Sequence, residues 1–362
     1  MGTQGQAIFD GVAQVGITTN QLANPNLKWE TTKQFDLGID FSLFTDRISG
    51  SVDYFKKKTT DLLLELPVPN TTGFSSTLAN VGSTSNWGFD LIINTLNLDG
   101  KLKWRSSFNL STVRNKVGSL ASVPYVLQGS AGFFNGFTIL KPGEALNSYY
   151  GYDIIGILQE GETYAPQPLS KPGEYKYRDA DGDGSITTAD MTILGNPFPD
   201  FTFGVNNEFT FGKFTLSFFL QGSQGGELLN LNISESENPI SFRRNRLARS
   251  YTDRWTASNP TNNNNSGHTP ANPYVSLSST INSRAVQDAS FIRLKSAQLS
   301  YDFTLASRIK AQLYISGQNL FTITDYFGFD PDVSSYGSSN IRADYNAYPL
   351  SRIYTVGFNL NF

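Results

Sequence analysis

The chain has 362 residues, of which 16% are charged and 13% aromatic, and its formal net charge is −3. Charged residues make up about a quarter of an ordinary soluble domain, and the near-neutral balance without a basic stripe excludes a nucleic-acid-binding protein. Cysteine is absent, which excludes disulfides and thiolate metal sites, and no run of about 18 apolar residues predicts a transmembrane helix.

Nine segments alternate large apolar residues with small or polar ones, which is the pattern of a strand with one apolar face. The clearest are "FDLGIDFSLF" at 35–44, "FTFGVNNEFTF" at 201–211 and "YPLSRIYTVGFNLNF" at 348–362. The other six lie at 47–57, 87–97, 102–114, 213–222, 290–304 and 310–322. Each has about ten residues, enough to cross a bilayer at a steep tilt, and no stretch shows the period of an amphipathic helix.

Short and long connections alternate along the chain. The short ones lie at 45–47, 98–101, 212–213 and 306–309, and the long ones at 58–86, 115–200, 223–289 and 323–347. A membrane barrel has short turns on its inner side and long loops on its outer side. Counting "YYGYDIIGI" at 149–157 as a crossing would break this alternation, so we place it within an outer loop.

These patterns predict an all-β protein, a transmembrane antiparallel β-barrel with its apolar face toward lipid. Alternation alone leaves a β-sandwich open, in which the apolar faces would be buried between two sheets. A passive porin is the other alternative, but an odd count of nine strands weighs against a complete pore.

The segment "DADGDGSITTAD" at 179–190 has the spacing of a twelve-residue calcium loop. Asp179, Asp181 and Asp183 fall at the alternating ligand positions, and Gly184 falls where the loop turns sharply. Ca²⁺ prefers such hard oxygen ligands, and three close carboxylates repel one another without a cation. The sequence therefore predicts a structural Ca²⁺ site in a long outer loop. Its expected ligands are Asp179, Asp181, Asp183, Ser185, Thr187 and Asp190. The last position departs from the usual Glu.

No catalytic constellation is visible. His268 is the only histidine and lies in an Asn-rich stretch, and without cysteine no nucleophile and base can be paired. We therefore expect a protein that is not an enzyme.

Several segments together resemble the SusC/RagA family of TonB-linked outer-membrane proteins. They are "NPNLKWETTKQFDLGIDFSLFTDRISGSVDYFKKKTTDLLL" at 24–64, "DASFIRLKSAQLSYDF" at 288–303, "SGQNLFTITDYFGFDPDV" at 316–333 and the terminal strand. The resemblance implies a 22-stranded barrel with a plugged lumen, of which these would be the last nine strands. Residues 24–362 would be the C-terminal part of that barrel, residues 1–23 a partial loop or truncated N-terminal edge, and the whole chain a C-terminal fragment.

The resemblance also implies a function. The chain would be the C-terminal β-barrel portion of a TonB-dependent importer of large nutrients, oligosaccharides or peptides, in the cell outer membrane. A SusD-like surface lipoprotein would close over the outer loops, TonB would act through an N-terminal part outside this chain, and Phe362 would be read by the barrel-assembly machinery. The alternative is a secreted, calcium-stabilised β-sandwich adhesin or carbohydrate-binding protein.

Overall fold

A computed structural model describes residues 2–9, 12–18, 22–74, 76–120, 123–131, 134–237, 245–267, 270–275, 280–305, 309–333 and 342–361. In chain order the strands are β1 (Gly2–Phe9), β2 (Val12–Thr18), β3 (Thr31–Leu43), β4 (Ile48–Pro67), β5 (Ser76–Asp99), β6 (Leu102–Ser119), β7 (Val126–Ala131), β8 (Phe134–Leu140), β9 (Ser148–Gly151), β10 (Ile154–Ile157), β11 (Tyr175–Tyr177), β12 (Thr192–Gly195), β13 (Phe201–Phe211), β14 (Phe214–Gln224), β15 (Glu227–Asn230), β16 (Val286–Asp288), β17 (Phe291–Leu305), β18 (Ile309–Thr324), β19 (Ala343–Asp344) and β20 (Ile353–Asn361). Two short helices are α1 (Leu231–Ser236) and α2 (Arg249–Thr252). Among the described residues, no helix has the length and apolar character needed to span a membrane.

Nine strands form one antiparallel sheet, which we call the wall. Its order is β20-β18-β17-β14-β13-β6-β5-β4-β3, so strands that follow one another along the wall are neighbours in space. All nine predicted crossing strands are present. The segment 149–157 instead contributes β9 and β10 to two small separate sheets, which confirms that it is not a crossing.

The two faces of the wall differ in polarity. Directly paired residues lie on the same face of a sheet, so each row of pairs can be followed across the strands. One outward row reads Ile39, Val52, Leu91, Leu110, Phe203, Gly222, Ile292 and Ile323. The next row, on the inward face, reads Asp40, Ser51, Ile92, Asn109, Gly204, Gln221, Arg293 and Thr322.

The apolar face is exposed. Ile39, Phe211 and Ile315 leave 65%, 61% and 54% of their surface accessible. A β-sandwich would bury these side chains against a second sheet, so the sandwich alternative is wrong. An apolar outward face with a polar inward face is the arrangement of a barrel wall in lipid.

Aromatic rings cluster at the short-turn end of the outward face. Ring centroids lie 5.3 Å apart for Trp104 and Phe209, 4.8 Å for Phe214 and Tyr301, and 6.1 Å for Phe303 and Phe358. Such rings form the girdle of membrane barrels, because their amphipathic edges suit the boundary between lipid and water. The connections at this end are residues 44–47, 100–101 and 212–213. The predicted turn at 306–309 lies mostly outside the described residues.

The expected loop at 58–86 is mainly strand. Pairing between β4 and β5 continues to Pro67 and Ser76, so both strands extend far beyond the length needed to cross a bilayer. Residues 22–30 lie against this extension. The Asn80 side chain accepts a hydrogen bond from the Lys28 amide (2.8 Å) and donates to the carbonyls of Lys28 (2.8 Å) and Asp61 (2.7 Å). The alternation of apolar and polar residues that identified the crossing strands ends above the membrane. The sequence therefore predicted β4 and β5 to be shorter than they are.

Residues 2–18, expected as a loop or a truncated edge, form a hairpin of β1 and β2. This hairpin is a sheet of its own and is not joined to the wall.

The described residues of the long connections at 120–200, 225–290 and 325–347 fold together into what we call the outer dome. These residues form three small sheets, with orders β12-β9-β8-β7, β10-β11 and β16-β15-β19. The dome's two larger apolar clusters lie around Phe134, Tyr149 and Leu229 and around Tyr152, Tyr177 and Trp255. Two smaller clusters lie around Val126 and around Leu228. The buried core lies here because the wall has lipid on one side and the lumen on the other.

Candidate functional site

The predicted calcium loop lies in the outer dome, where it follows β11 and ends in a 3₁₀ turn at Thr188–Asp190. Carboxylate oxygens of Asp179, Asp181 and Asp183 lie within 4.8 Å of one another. The two oxygens of Asp179 accept hydrogen bonds from the amides of Gly182 (2.8 Å) and Gly184 (3.0 Å). These glycines have φ angles of +76° and +86°, which glycine adopts without strain. The tight turn therefore brings the three carboxylates together on one side.

Asp181 and Asp183 use the same local geometry. Each accepts a hydrogen bond from the amide two residues further on, at 3.1 Å for Asp183 and 2.8 Å for Ser185. These turns leave further lone pairs on each carboxylate, because an ionised carboxylate accepts at about four sites. Three negative groups this close repel one another, and a divalent cation would remove the repulsion.

Asp190 has a different position from the other three aspartates. Its side chain is fully buried, and its oxygens accept from the amides of Ala180 (2.7 Å) and Thr187 (2.7 Å). The Thr187 hydroxyl in turn accepts from the Ala189 amide at 3.1 Å, which completes a capping box. Asp190 thus joins the two ends of the loop. Of the six predicted ligands, the structure brings the side chains of Asp179, Asp181 and Asp183 together.

The loop is anchored to the core of the dome through Ile186. This residue packs in the cluster of Tyr152 and Trp255, and its carbonyl accepts from the Asn272 side chain at 2.9 Å. Burial raises the pKa of Tyr152 to about 12, and the negative charge of Asp190 adds to this effect. The end of the loop is therefore fixed to the buried core by packing and by a hydrogen bond.

A charged cluster that sequence reasoning missed ties distant parts of the dome together. Glu237 is buried and pairs with Arg249 and, at 3.1 Å, with Arg284. Arg284 also donates to the Asn264 side chain at 2.6 Å, and Asn264 accepts from the Tyr175 hydroxyl at 2.8 Å. These residues are far apart in the sequence, and no local spacing marks them as a group.

A second missed pair fixes the last outer connection to the wall. Arg293, on the inward face of β17, lies 2.5 Å from Asp330, and both side chains are almost fully buried. The Arg293 Nε also donates to the Thr322 hydroxyl at 3.0 Å. This pair holds residues 325–333 against the mouth of the lumen.

Two residues from the sequence analysis, His268 and Phe362, lie outside the described residues.

Comparisons with known proteins agree with this architecture. Residues 2–207 match the family model described as "TonB dependent receptor-like, beta-barrel". The chain is 38% identical to TonB-dependent receptor P3 of Formosa agariphila over 96% of its own length and 36% of that protein. It is 28% identical to TonB-dependent receptor SusC of Bacteroides thetaiotaomicron, over 94% of the chain and 32% of that protein.

Among solved structures, the RagAB peptide transporter matches with a TM-score of 0.78 and 24% identity, over 99% of this chain and 38% of that one. At this identity the match establishes the fold. The chain spans about a third of the length of the proteins it matches. From the family match and the wall geometry, the chain belongs to the TonB-dependent receptor family of outer-membrane β-barrel proteins.

Proposed function

We propose that the chain supplies wall and outer dome to an active importer of large nutrients, oligosaccharides or peptides. The observation that supports this proposal is that one chain forms both a lipid-facing wall and a packed dome. The dome is built from the long connections between the wall strands. A passive pore needs no such dome, whereas an importer needs a structured outer surface to select and retain a large substrate. Energy would come from TonB, acting on parts of the receptor outside this chain.

The proposed partner at the outer surface is a SusD-like lipoprotein. The matched RagAB structure is described as a peptide transporter, and SusC belongs to the same group of relatives. The connections 115–200 and 223–289, which form most of the dome, are the proposed contact surface. We also propose that Phe362 directs the terminal strand to the barrel-assembly machinery.

The transport proposal can be tested in the organism that makes the protein. The gene is deleted, and uptake of labelled oligosaccharides and peptides of graded length is measured with and without a TonB inhibitor. Loss of uptake of one substrate class, with affinity capture of a SusD-like lipoprotein on the tagged receptor, is the expected result. Unchanged uptake of every substrate, or uptake that persists when TonB is blocked, would contradict an importer.

We further propose that the loop 179–190 binds Ca²⁺ and rigidifies the dome. Asp179, Asp181 and Asp183 would bind the ion directly with the Ser185 carbonyl, while Thr187 and Asp190 hold the end of the loop in place. Three carboxylates within 4.8 Å support this ligand set, since Ca²⁺ takes six to eight oxygen ligands and water supplies the remainder.

Calorimetric titration of the purified protein with CaCl₂ tests the calcium proposal. Binding with a rise in Tm is expected for the wild type and for Glu160→Gln, an exposed carboxylate elsewhere in the dome. The double variant Asp181→Asn/Asp183→Asn should show neither Ca²⁺ binding nor the rise in Tm. An equal Ca²⁺ response in the double variant would show that the loop is not the site.

A further inference from the structure

A small polar cavity lies in the outer dome, next to the buried carboxylate of Glu237. Its volume is about 20 Å³, which is enough for one water molecule or one small ion. Apart from Tyr175 and Ile233, the lining residues are polar or charged, namely Ser234, Glu237, Asn264, Asn265, Asn282 and Arg284. An apolar cavity of this size would stay empty, whereas a polar one needs an occupant that forms hydrogen bonds with its walls.

The acceptor atoms of the cavity wall are already used by donors of the protein. The two carboxylate oxygens of Glu237 accept hydrogen bonds, one from Arg249 and the other from Arg284 at 3.1 Å. The Asn264 Oδ1 accepts from Arg284 at 2.6 Å and from the Tyr175 hydroxyl at 2.8 Å. A cation in this cavity would therefore find few free oxygen ligands.

Donor groups, in contrast, remain available in the cavity wall. Ser234 is only 9% exposed and lines the cavity, and its hydroxyl has no hydrogen-bond partner among the described residues. The Asn265 side chain donates to Asn264 at 3.2 Å and has a second amide hydrogen. Arg284 has five N–H donors, of which three are used within the cluster. The occupant must therefore be a group that accepts hydrogen bonds.

The charge of the cluster favours an anion over a neutral acceptor. The guanidinium groups of Arg249 and Arg284 share the single carboxylate of Glu237, so two positive charges and one negative charge leave a net charge of +1. Burial lowers the pKa of Arg249, and the positive charge of Arg284 lowers it further. An excess charge in a buried cluster is costly unless an opposite charge neutralises it.

The nearby carboxylates do not supply that opposite charge within the cavity. Asp253 raises the pKa of Arg249, but its effect is smaller than that of burial or of Arg284. Glu235, on α1, accepts a hydrogen bond from the Tyr345 hydroxyl at 2.7 Å. Neither carboxylate lines the cavity.

We propose that this cavity binds a chloride ion. A monatomic anion fits the volume, carries the charge that the cluster lacks, and accepts from hydroxyl, amide and guanidinium donors alike. It would join α1 to Asn265 and Arg284, which are distant in the sequence. Bound chloride should therefore stabilise this part of the dome.

Hydrogen exchange of the receptor, purified in mild detergent, tests the proposal. Exchange is compared in chloride and in gluconate at equal ionic strength and constant calcium. Chloride at about ten times its Kd should slow exchange of the amides in 231–237 roughly tenfold. Bromide should act like chloride, and sulfate should act like gluconate, because the cavity is too small for the larger anions.

Two further measurements locate the ion. Ser234→Ala removes a donor from the cavity and should weaken the chloride response. Ser236→Ala is the matched control on the same helix, because its hydroxyl donates to the Asn232 carbonyl and does not line the cavity. In bromide-grown crystals of the wild type, an anomalous peak is expected within hydrogen-bond distance of the Ser234 hydroxyl, and this holds even if the variant does not fold.

Three results would overturn the proposal. The first is equal exchange in chloride and gluconate, and the second is a water molecule in the cavity of the bromide-grown crystals. The third is a full chloride response in the folded Ser234→Ala variant, which would place the ion elsewhere.

Discussion

Leu43 and Tyr354 lie in the same row of paired residues, although eight strand-to-strand steps separate them. The row runs through Ile48, Thr95, Ser106, Asn207, Phe218, Ala297 and Gly317. On β3 the outward apolar residues run from Phe35 to Leu43, so Leu43 ends the band on the short-turn side. On β20 they run from Tyr354 to Leu360, so Tyr354 begins the band on the outer side.

The apolar band thus moves along the strands as it crosses the wall. A shift of about eight residues is roughly 26 Å along a strand, and eight steps between strands are roughly 38 Å. The ratio corresponds to a tilt of about 35°, as in transmembrane barrels. A level membrane therefore meets each strand at a different row, and the depth of a residue depends on its strand as well as its row.

Charge on the outward face should prevent assembly, whereas charge on the inward face should not. Val52 lies in an outward apolar row and Ser51, its neighbour, in an inward polar row. Val52→Lys should cost roughly 2–4 kcal/mol near mid-bilayer and reduce the heat-modifiable form in outer-membrane fractions. Ser51→Lys is the matched control and should assemble normally. Equal assembly of the two variants would contradict the assigned orientation.

Asn207 accepts hydrogen bonds from two side chains on the lipid face. Truncating it should therefore lower the stability of the protein. Its Oδ1 accepts from Trp104 Nε1 at 3.0 Å and from the Ser106 hydroxyl at 2.7 Å. Asn207→Ala leaves both donors without this acceptor, and each unsatisfied donor costs about 1–3 kcal/mol. The free energy of unfolding in lipid, followed by tryptophan fluorescence, should fall for Asn207→Ala. Asn206→Ala, on the inward face, should lower the free energy of unfolding much less. Equal losses in the two variants would contradict this role of Asn207.

Removing one partner of the Arg293–Asp330 pair should release the last outer connection. Asp330→Ala leaves a buried guanidinium without its carboxylate, and such losses cost about 3–5 kcal/mol. Hydrogen exchange in residues 325–333 should accelerate, and Arg293→Met/Asp330→Ala should recover part of the protection. Asp332→Ala is the control, because that carboxylate is 3.8 Å from Arg293 and 44% exposed. Normal protection in Asp330→Ala would show that other contacts hold the segment.

Asp190 should stabilise its loop with or without calcium. Asp190→Ala removes charge-assisted hydrogen bonds to Ala180 and Thr187, worth roughly 1.5–3 kcal/mol each. Exchange of those two amides and protease cleavage within 179–190 should increase even in EDTA. Asp183→Ala should change them only when calcium is present. If Asp190→Ala acts only in calcium, Asp190 is a ligand and its closing role is secondary.

The dome should lose stability at high pH through Tyr152. Burial raises the pKa of Tyr152 to about 12, whereas an unfolded tyrosine ionises near pH 10. The unfolded state releases this proton first, so stability is complete below about pH 10 and falls as the pH rises toward 12. Tyr152→Phe should make that fall less steep in denaturant titrations at successive pH values. Part of the fall should remain, because burial also raises the pKa of Tyr149, Tyr177 and Tyr326. An identical decline in both proteins would assign it to other tyrosines.

The nine crossings were predictable because a two-residue alternation is a local property of the chain. Ile39 and Phe211 each belong to an apolar strand face that can be read from the sequence alone, whichever way that face points. The same argument failed for 58–67 and 76–86, since those strands lie above the membrane and need no apolar face. In the loop 179–190 the spacing predicted the convergence of Asp179, Asp181 and Asp183, but not the separate position of Asp190.

The sequence alone determined the strands, the alternation of short and long connections, the acidic loop and the family resemblance, because each depends on residues close together in the chain. Only the tertiary structure decided that the apolar face is exposed and that the long connections share a buried core. It also joined Glu237 to Arg284 and Arg293 to Asp330. These contacts depend on strand register, tilt and loop closure, which no local pattern of side chains specifies.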